Sequence, residues 1–255
     1  MVSFLVMPLA LVALLLGAVG HLMRRGALPQ GSFGRGLVAA TLWLVGWGGI
    51  AASGVLNVWD GFPPRSLPML VVMFVVTFWL GLSRTGRVLA EGISFRWLIG
   101  FQVFRLPLEL MLHRAMVEGL MPIQMSFEGL NYDVVTGVTA GLITLASAWV
   151  AIPRWLCWVF NLLGSALLLT IVVISIVSLP TFALFGPERV NTWVFGFPYV
   201  YLPVVMVQWA LLGHVLVFRK LHLERAEAIP TGPRSTGALS ESPHAHYDRV
   251  KDPAA

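Results

Sequence analysis

Apolar residues along the chain gather into seven runs, at 2 to 23, 37 to 58, 67 to 83, 95 to 117, 133 to 152, 155 to 179 and 197 to 219. Each comes close to the ~20 helical residues that cross a bilayer core. The pattern predicts an all-α fold, a polytopic transmembrane helical bundle of seven spans within residues 1–228. The first run has no basic residue before it and is followed by Arg24 and Arg25, so it is expected to be an uncleaved span and not a secretory signal. From residue 229 onward Pro, Gly and Ser dominate and no apolar periodicity remains. Residues 229–255 are therefore expected to form a disordered tail.

Composition agrees with hydrocarbon as the reference solvent. Of 255 residues, 57% are hydrophobic and 11% charged, and the mean hydropathy is +0.81, well above the usage of soluble domains. Charge then orients the spans. Arg24, Arg25 and Arg35 follow the first, Arg84, Arg87 and Arg96 the third, Arg154 the fifth, and Arg219, Lys220 and Arg225 the seventh. The alternate connections carry Asp60 with Arg65, then Glu118, Glu128 and Asp133, then Glu188 with Arg189. Basic loops stay cytoplasmic, so the N-terminus is expected outside and the C-terminus, with its tail, inside. The lipid bilayer is the expected partner, nucleic acid is not, and other membrane subunits remain compatible with the pattern. Gly48 with Ala52 and Gly49 with Ser53, four apart in the second span, suit close helix packing.

Span four departs from its neighbours. It carries Gln102, Arg105, Glu109 and His113, which at ~100° per residue fall within about an 80° arc and predict one polar stripe. A charge at a helix centre costs roughly 2.5 to 3.5 kcal/mol on an insertion scale, so the stripe must face the bundle interior. Residues four apart are helix neighbours, which makes Arg105 with Glu109 and Glu109 with His113 feasible pairs. Pro107 between them is expected to kink the helix and free the Val103 carbonyl. The loop beyond delivers Glu128, Asn131 and Asp133 toward the same outer side. These seven residues form the predicted ligand or proton site. Glu109, His113, Glu128 and Asp133 also offer oxygen and nitrogen donors of the kind a divalent metal takes, although their spacing matches no metal motif. Asn131 or Asp133 is expected to cap the start of span five.

The segments FQVFRLPLELMLHRAMVEGLMP and MSFEGLNYD resemble stretches of uncharacterised bacterial multi-pass integral membrane proteins. The resemblance implies a bacterial cytoplasmic membrane location. It implies no activity and transfers no catalytic or ligand residue to this chain.

Several chemistries are excluded or reduced. The lysines are Lys220 and Lys251, both after the seventh run, so no intramembrane Schiff base can form. Gly-x-Ser-x-Gly, paired-histidine zinc helices, phosphate-binding Gly loops and Cys-x-x-Cys are absent from the sequence, and Cys157 has no disulfide partner in this chain. His21 and His214, near the inner ends of spans one and seven, offer a two-imidazole haem reading. Tail residues His244 and His246 are solvated in the simplest reading. No cofactor is assigned. Three function classes fit the sequence. They are a transporter or binding protein working at the span-four stripe, an intramembrane enzyme at the same residues, and a structural subunit in which the stripe is interhelical glue.

Overall fold

A computed structural model of the chain describes residues 1–227, with side chains through 225, and these are all-helical with no strand among them. The predicted tail, with His244 and His246, lies outside the described residues. The principal helices are α1 (Ser3–Arg24), α2 (Ser32–Ala52), α3 (Leu67–Leu82), α4 (Arg84–Gly92), α5 (Phe95–Gly100), α6 (Arg105–Val117), α7 (Val134–Ala146), α8 (Arg154–Val177) and α9 (Gln208–Glu227). Four stretches among the described residues are long and apolar enough to cross a membrane: α1, α2, α8 and Leu202–Arg225. α3 and α4 together make a fifth if counted as one span bent by 63°.

Local chemistry explains where helices break. At the α3/α4 bend the Ser83 hydroxyl accepts from the Gly86 amide at 3.1 Å, a side-chain N-cap. The end of α3 is closed from outside, by Arg219 Nη1 donating to the Gly81 carbonyl at 2.5 Å and the Ser83 carbonyl at 2.7 Å. Lys220 Nζ donates to the Ala90 carbonyl near the end of α4 at 3.1 Å. Two basic residues expected at the cytoplasmic end of span seven thus also satisfy orphan helix carbonyls.

The expected fourth span is composite. α5 runs into a 3-10 turn at Phe101–Phe104 and then into α6. Pro107 has no N–H for the Val103 carbonyl, which removes the α-helical bond closing this turn and favours the tighter winding. The fifth run yields only 13 helical residues, Val134–Ala146, against the 133 to 152 expected. Ala148, Trp149 and Val150 are drawn into turns by bonds to the Leu145 and Ala146 carbonyls. A π-helical stretch, Leu202–Val207, containing Pro203, precedes α9.

Helix α9 is the axis of the bundle, packed against α3, α4, α5 and α8. Two apolar clusters surround it. One includes Phe4, Leu11, Met69, Leu108, Leu112 and Val204. The other includes Leu22, Leu98, Ile99, Phe160, Leu212 and Leu216. Arg105 sits between Ile99, in one cluster, and Leu108, in the other, so the polar residues lie at the junction.

Candidate functional site

Two glycines bring four helices together at this junction. A Cβ on Gly137 of α7 would lie 2.8 Å from the Leu106 nitrogen, so only glycine lets α7 approach the backbone of α6 this closely. Asp133, four residues earlier and on the same face, is thereby delivered to the first turn of α6. On α8, a Cβ at Gly164 would lie 2.6 Å from His214 Cε1 and 2.9 Å from Thr136 Cγ2. Asn161, three residues earlier, reaches the same imidazole.

The result is a buried chain of polar contacts. Arg105 Nη2 stands 2.7 Å from Asp133 Oδ2, and the two side chains are 1% and 5% exposed. The Thr136 hydroxyl donates to the other Asp133 oxygen at 3.2 Å. Arg105 Nη1 lies 3.0 Å from His214 Nε2, and His214 Nδ1 lies 2.8 Å from Asn161 Oδ1. A guanidinium can only donate, so Nε2 accepts and the imidazole proton sits on Nδ1, donated to Asn161. The Asn161 amide in turn donates to the His214 carbonyl at 3.0 Å. Each charge thus has a partner, the condition under which mutual attraction offsets part of the cost of burying it.

Glu109 lies apart from this chain. Asn131 Nδ2 donates to both of its oxygens at 2.9 Å and to the Met125 carbonyl at 3.1 Å. Asn131 Oδ1 accepts from the Asp133 amide at 3.1 Å, so one asparagine ties the two carboxylate positions together. Glu109 is 1% exposed, no ion pair joins it to Arg105, and among the described residues a single amide group supplies its hydrogen bonds. Glu109, Arg105, Asn131 and Asp133 line a cavity of about 70 Å³ whose other walls include Met73, Leu112, Ser175, Val194 and Met206. That is room for several water molecules beside polar partners.

The structure revises the predicted stripe at each end. Gln102 is fully buried, but it lies in the 3-10 turn and its Nε2 donates to the Ala210 carbonyl of α9 at 3.0 Å. It works as an interhelical tie and does not line the cavity. His113 stacks on Phe127 with centroids 4.7 Å apart, and its Nδ1 lies 3.4 Å from Glu128 Oε1. Both are partly exposed at the rim. The expected pairs of Glu109 with Arg105 and with His113 are replaced by pairs to other segments, because the break at Phe101–Phe104 and the close approach of α7 redirect Arg105. Asp133 does stand at the N-cap position of α7, but its carboxylate makes no bond to a backbone amide there; it is taken by Arg105 and Thr136.

The four-residue metal reading is likewise revised. Among the described residues no three His, Cys, Asp or Glu side chains are grouped so as to hold a metal ion, since Arg105 occupies Asp133 while His113 and Glu128 stay at the rim. For the haem reading, both ring nitrogens of buried His214 are engaged, and His21 is exposed on α1, so the two imidazoles do not share a site. Sequence reasoning missed Asn161, Thr136 and the role of His214. A polar Asn161 inside the apolar run CWVFNLLGSALLL was the available signal.

No family model, curated protein or solved structure matches this chain.

Proposed function

We propose that this chain is a seven-span integral membrane protein of a bacterial cytoplasmic membrane, N-terminus outside and C-terminus inside, that binds or transports a small solute, ion or proton at Glu109. Contacts between helix ends support the crossing pattern. Arg219 of α9 caps the end of α3, and Arg154 at the start of α8 donates to the Leu221 carbonyl at 3.0 Å, as required if spans three and seven end, and span six begins, on one side. Trp43 Nε1 of α2 donates to the Val204 carbonyl at 2.8 Å, and the Tyr201 hydroxyl to the Leu44 carbonyl at 3.0 Å. These bonds join the middle of α2 to the beginning of span seven. The short α7 fits because its non-helical approach through Asn131 and Asp133 is buried in protein, where irregular backbone is tolerated at membrane depth. A reporter fused after Ala255 then reads cytoplasmic and a tag in the 118–132 loop reads external; the opposite result overturns this topology.

The functional reading rests on one observation, a buried carboxylate on a cavity wall without a cation in contact. An ionisable group at membrane depth is costly and is retained where it has work to do. Arg105 and Asp133 neutralise each other, whereas Glu109 is left to exchange a proton or receive a ligand. Glu109→Gln preserves an acceptor for Asn131 and the side-chain volume, but removes the charge. The variant is expected to assemble as the parent does and to fail in complementing a deletion strain. Full complementation would reduce Glu109 to a structural contact.

A further inference from the structure

A second pocket opens beside the buried cavity. It has a volume of about 440 Å³ and is lined by Trp59, Trp193, Phe197 and Tyr199, with Asn57 and Thr192 as polar company. The rings stand at steep angles to their neighbours. Trp193 and Tyr199 meet at 65° with centroids 5.1 Å apart, Trp59 meets Phe195 at 68°, and Phe197 meets Tyr201 at 76°. No charged side chain lines the pocket.

The two spaces are separated by one turn of chain. Trp193 lines the open pocket, while the next residue, Val194, lines the buried cavity with Glu109. The turn Trp193–Phe195 is therefore their common wall. It is held from below by Asn191, whose Nδ2 donates to the Ser175 hydroxyl at 2.7 Å and whose amide donates to the Ser178 carbonyl at 2.7 Å.

We infer that this aromatic pocket is a recognition site for an organic ammonium group, an inference that rests on reading the Glu109 cavity as a solute site. Ring faces carry negative electrostatic potential and attract a poorly hydrated cation. An anion finds no free cation on either side of the wall, since the Arg105 guanidinium is engaged by Asp133 and His214. Behind the wall, the cavity carries two carboxylates against one guanidinium. A cation reaching that cavity would meet Glu109, whose carboxyl group has no cation in contact.

The test is calorimetric titration of the full chain in nanodiscs of phosphatidylglycerol, whose headgroup carries no ammonium. Choline is expected to bind saturably, and its neutral isostere, with carbon in place of the quaternary nitrogen, at least about tenfold more weakly, the size of a desolvated cation–π contribution. Trp59→Leu should weaken choline to the level of the isostere and Trp59→Phe should recover part of the loss, with size-exclusion profiles confirming assembly of both. Repeating the titration in discs containing phosphatidylcholine identifies the source of the ammonium group. An unchanged titration assigns a free solute, a suppressed one assigns a lipid headgroup, and both support the inference. Absence of saturable binding, equal binding of the isostere, or Trp59→Leu binding choline as the parent does would overturn it. Glu109→Gln keeps the two readings distinguishable. Choline binding retained in a variant that still complements leaves the pocket standing and removes the solute site behind it.

Discussion

Arg105 is paired with Asp133, at 2.7 Å across two helices, and not with Glu109 four residues along its own helix. Removing one member of a buried pair strands the other, at a cost of about 3 to 5 kcal/mol, while replacing both by apolar residues can be nearly neutral. Arg105→Met is therefore expected to lower thermal stability in detergent sharply, and adding Asp133→Leu to restore most of it. Adding Glu109→Leu instead should not, because Asp133 would remain buried without its partner. Thermal unfolding followed by size exclusion checks this; rescue by the Glu109 change alone would contradict the observed pairing.

The contact of Asn131 with Glu109 has a defined polarity. The amide donates and the carboxylate accepts at 2.9 Å. Asn131→Asp is expected to destabilise the fold by setting two acceptors against each other, and Glu109→Gln in the same chain should recover part of the loss by supplying an amide donor. A coupling energy of about 0.5 to 3 kcal/mol in the double-mutant cycle is the expected range for contacting groups. Additive effects would mean that the two residues do not meet.

Gly164 and Gly46 share a residue type and differ in surroundings. A Cβ at Gly164 would press on His214 and Thr136, whereas nothing lies within 4 Å of one at Gly46. Gly164→Ala is expected to cost about 1 to 3 kcal/mol by overpacking, and Gly46→Ala to leave the melting profile unchanged. Equal effects at the two positions would count against the close approach of α8 to α9.

Cys157 is fully buried on α8 and packed with the cluster around Leu212 and Leu216. A membrane-impermeant maleimide is expected to leave the folded protein unlabelled and to label it after denaturation. Rapid labelling of intact cells from outside would overturn its placement.

Much of the helix inventory was legible because continuous apolar length is a local property of the chain. The runs at 2 to 23 and 155 to 179 correspond closely to Ser3–Arg24 and Arg154–Val177, and the run at 197 to 219 overlaps Leu202–Arg225, which lies more than one helical turn later. The need to bury Arg105 and Glu109 was equally legible, since the cost of an exposed charge in hydrocarbon depends on the residue and its depth and not on which neighbour it finds. Their partners were not. A helical wheel assumes one unbroken helix, and the 3-10 turn at Phe101–Phe104 removes that assumption for Gln102 while the glycine contacts at Gly137 and Gly164 fix which side chains reach Arg105. Sequence by itself thus determined an apolar helical chain with ionisable groups that must turn inward. Tertiary structure alone decided that Arg105 would be closed by Asp133 and His214 while Glu109 stayed on a cavity wall, because a pairing across helices is set by how closely their backbones pack, and that distance is written in no single segment.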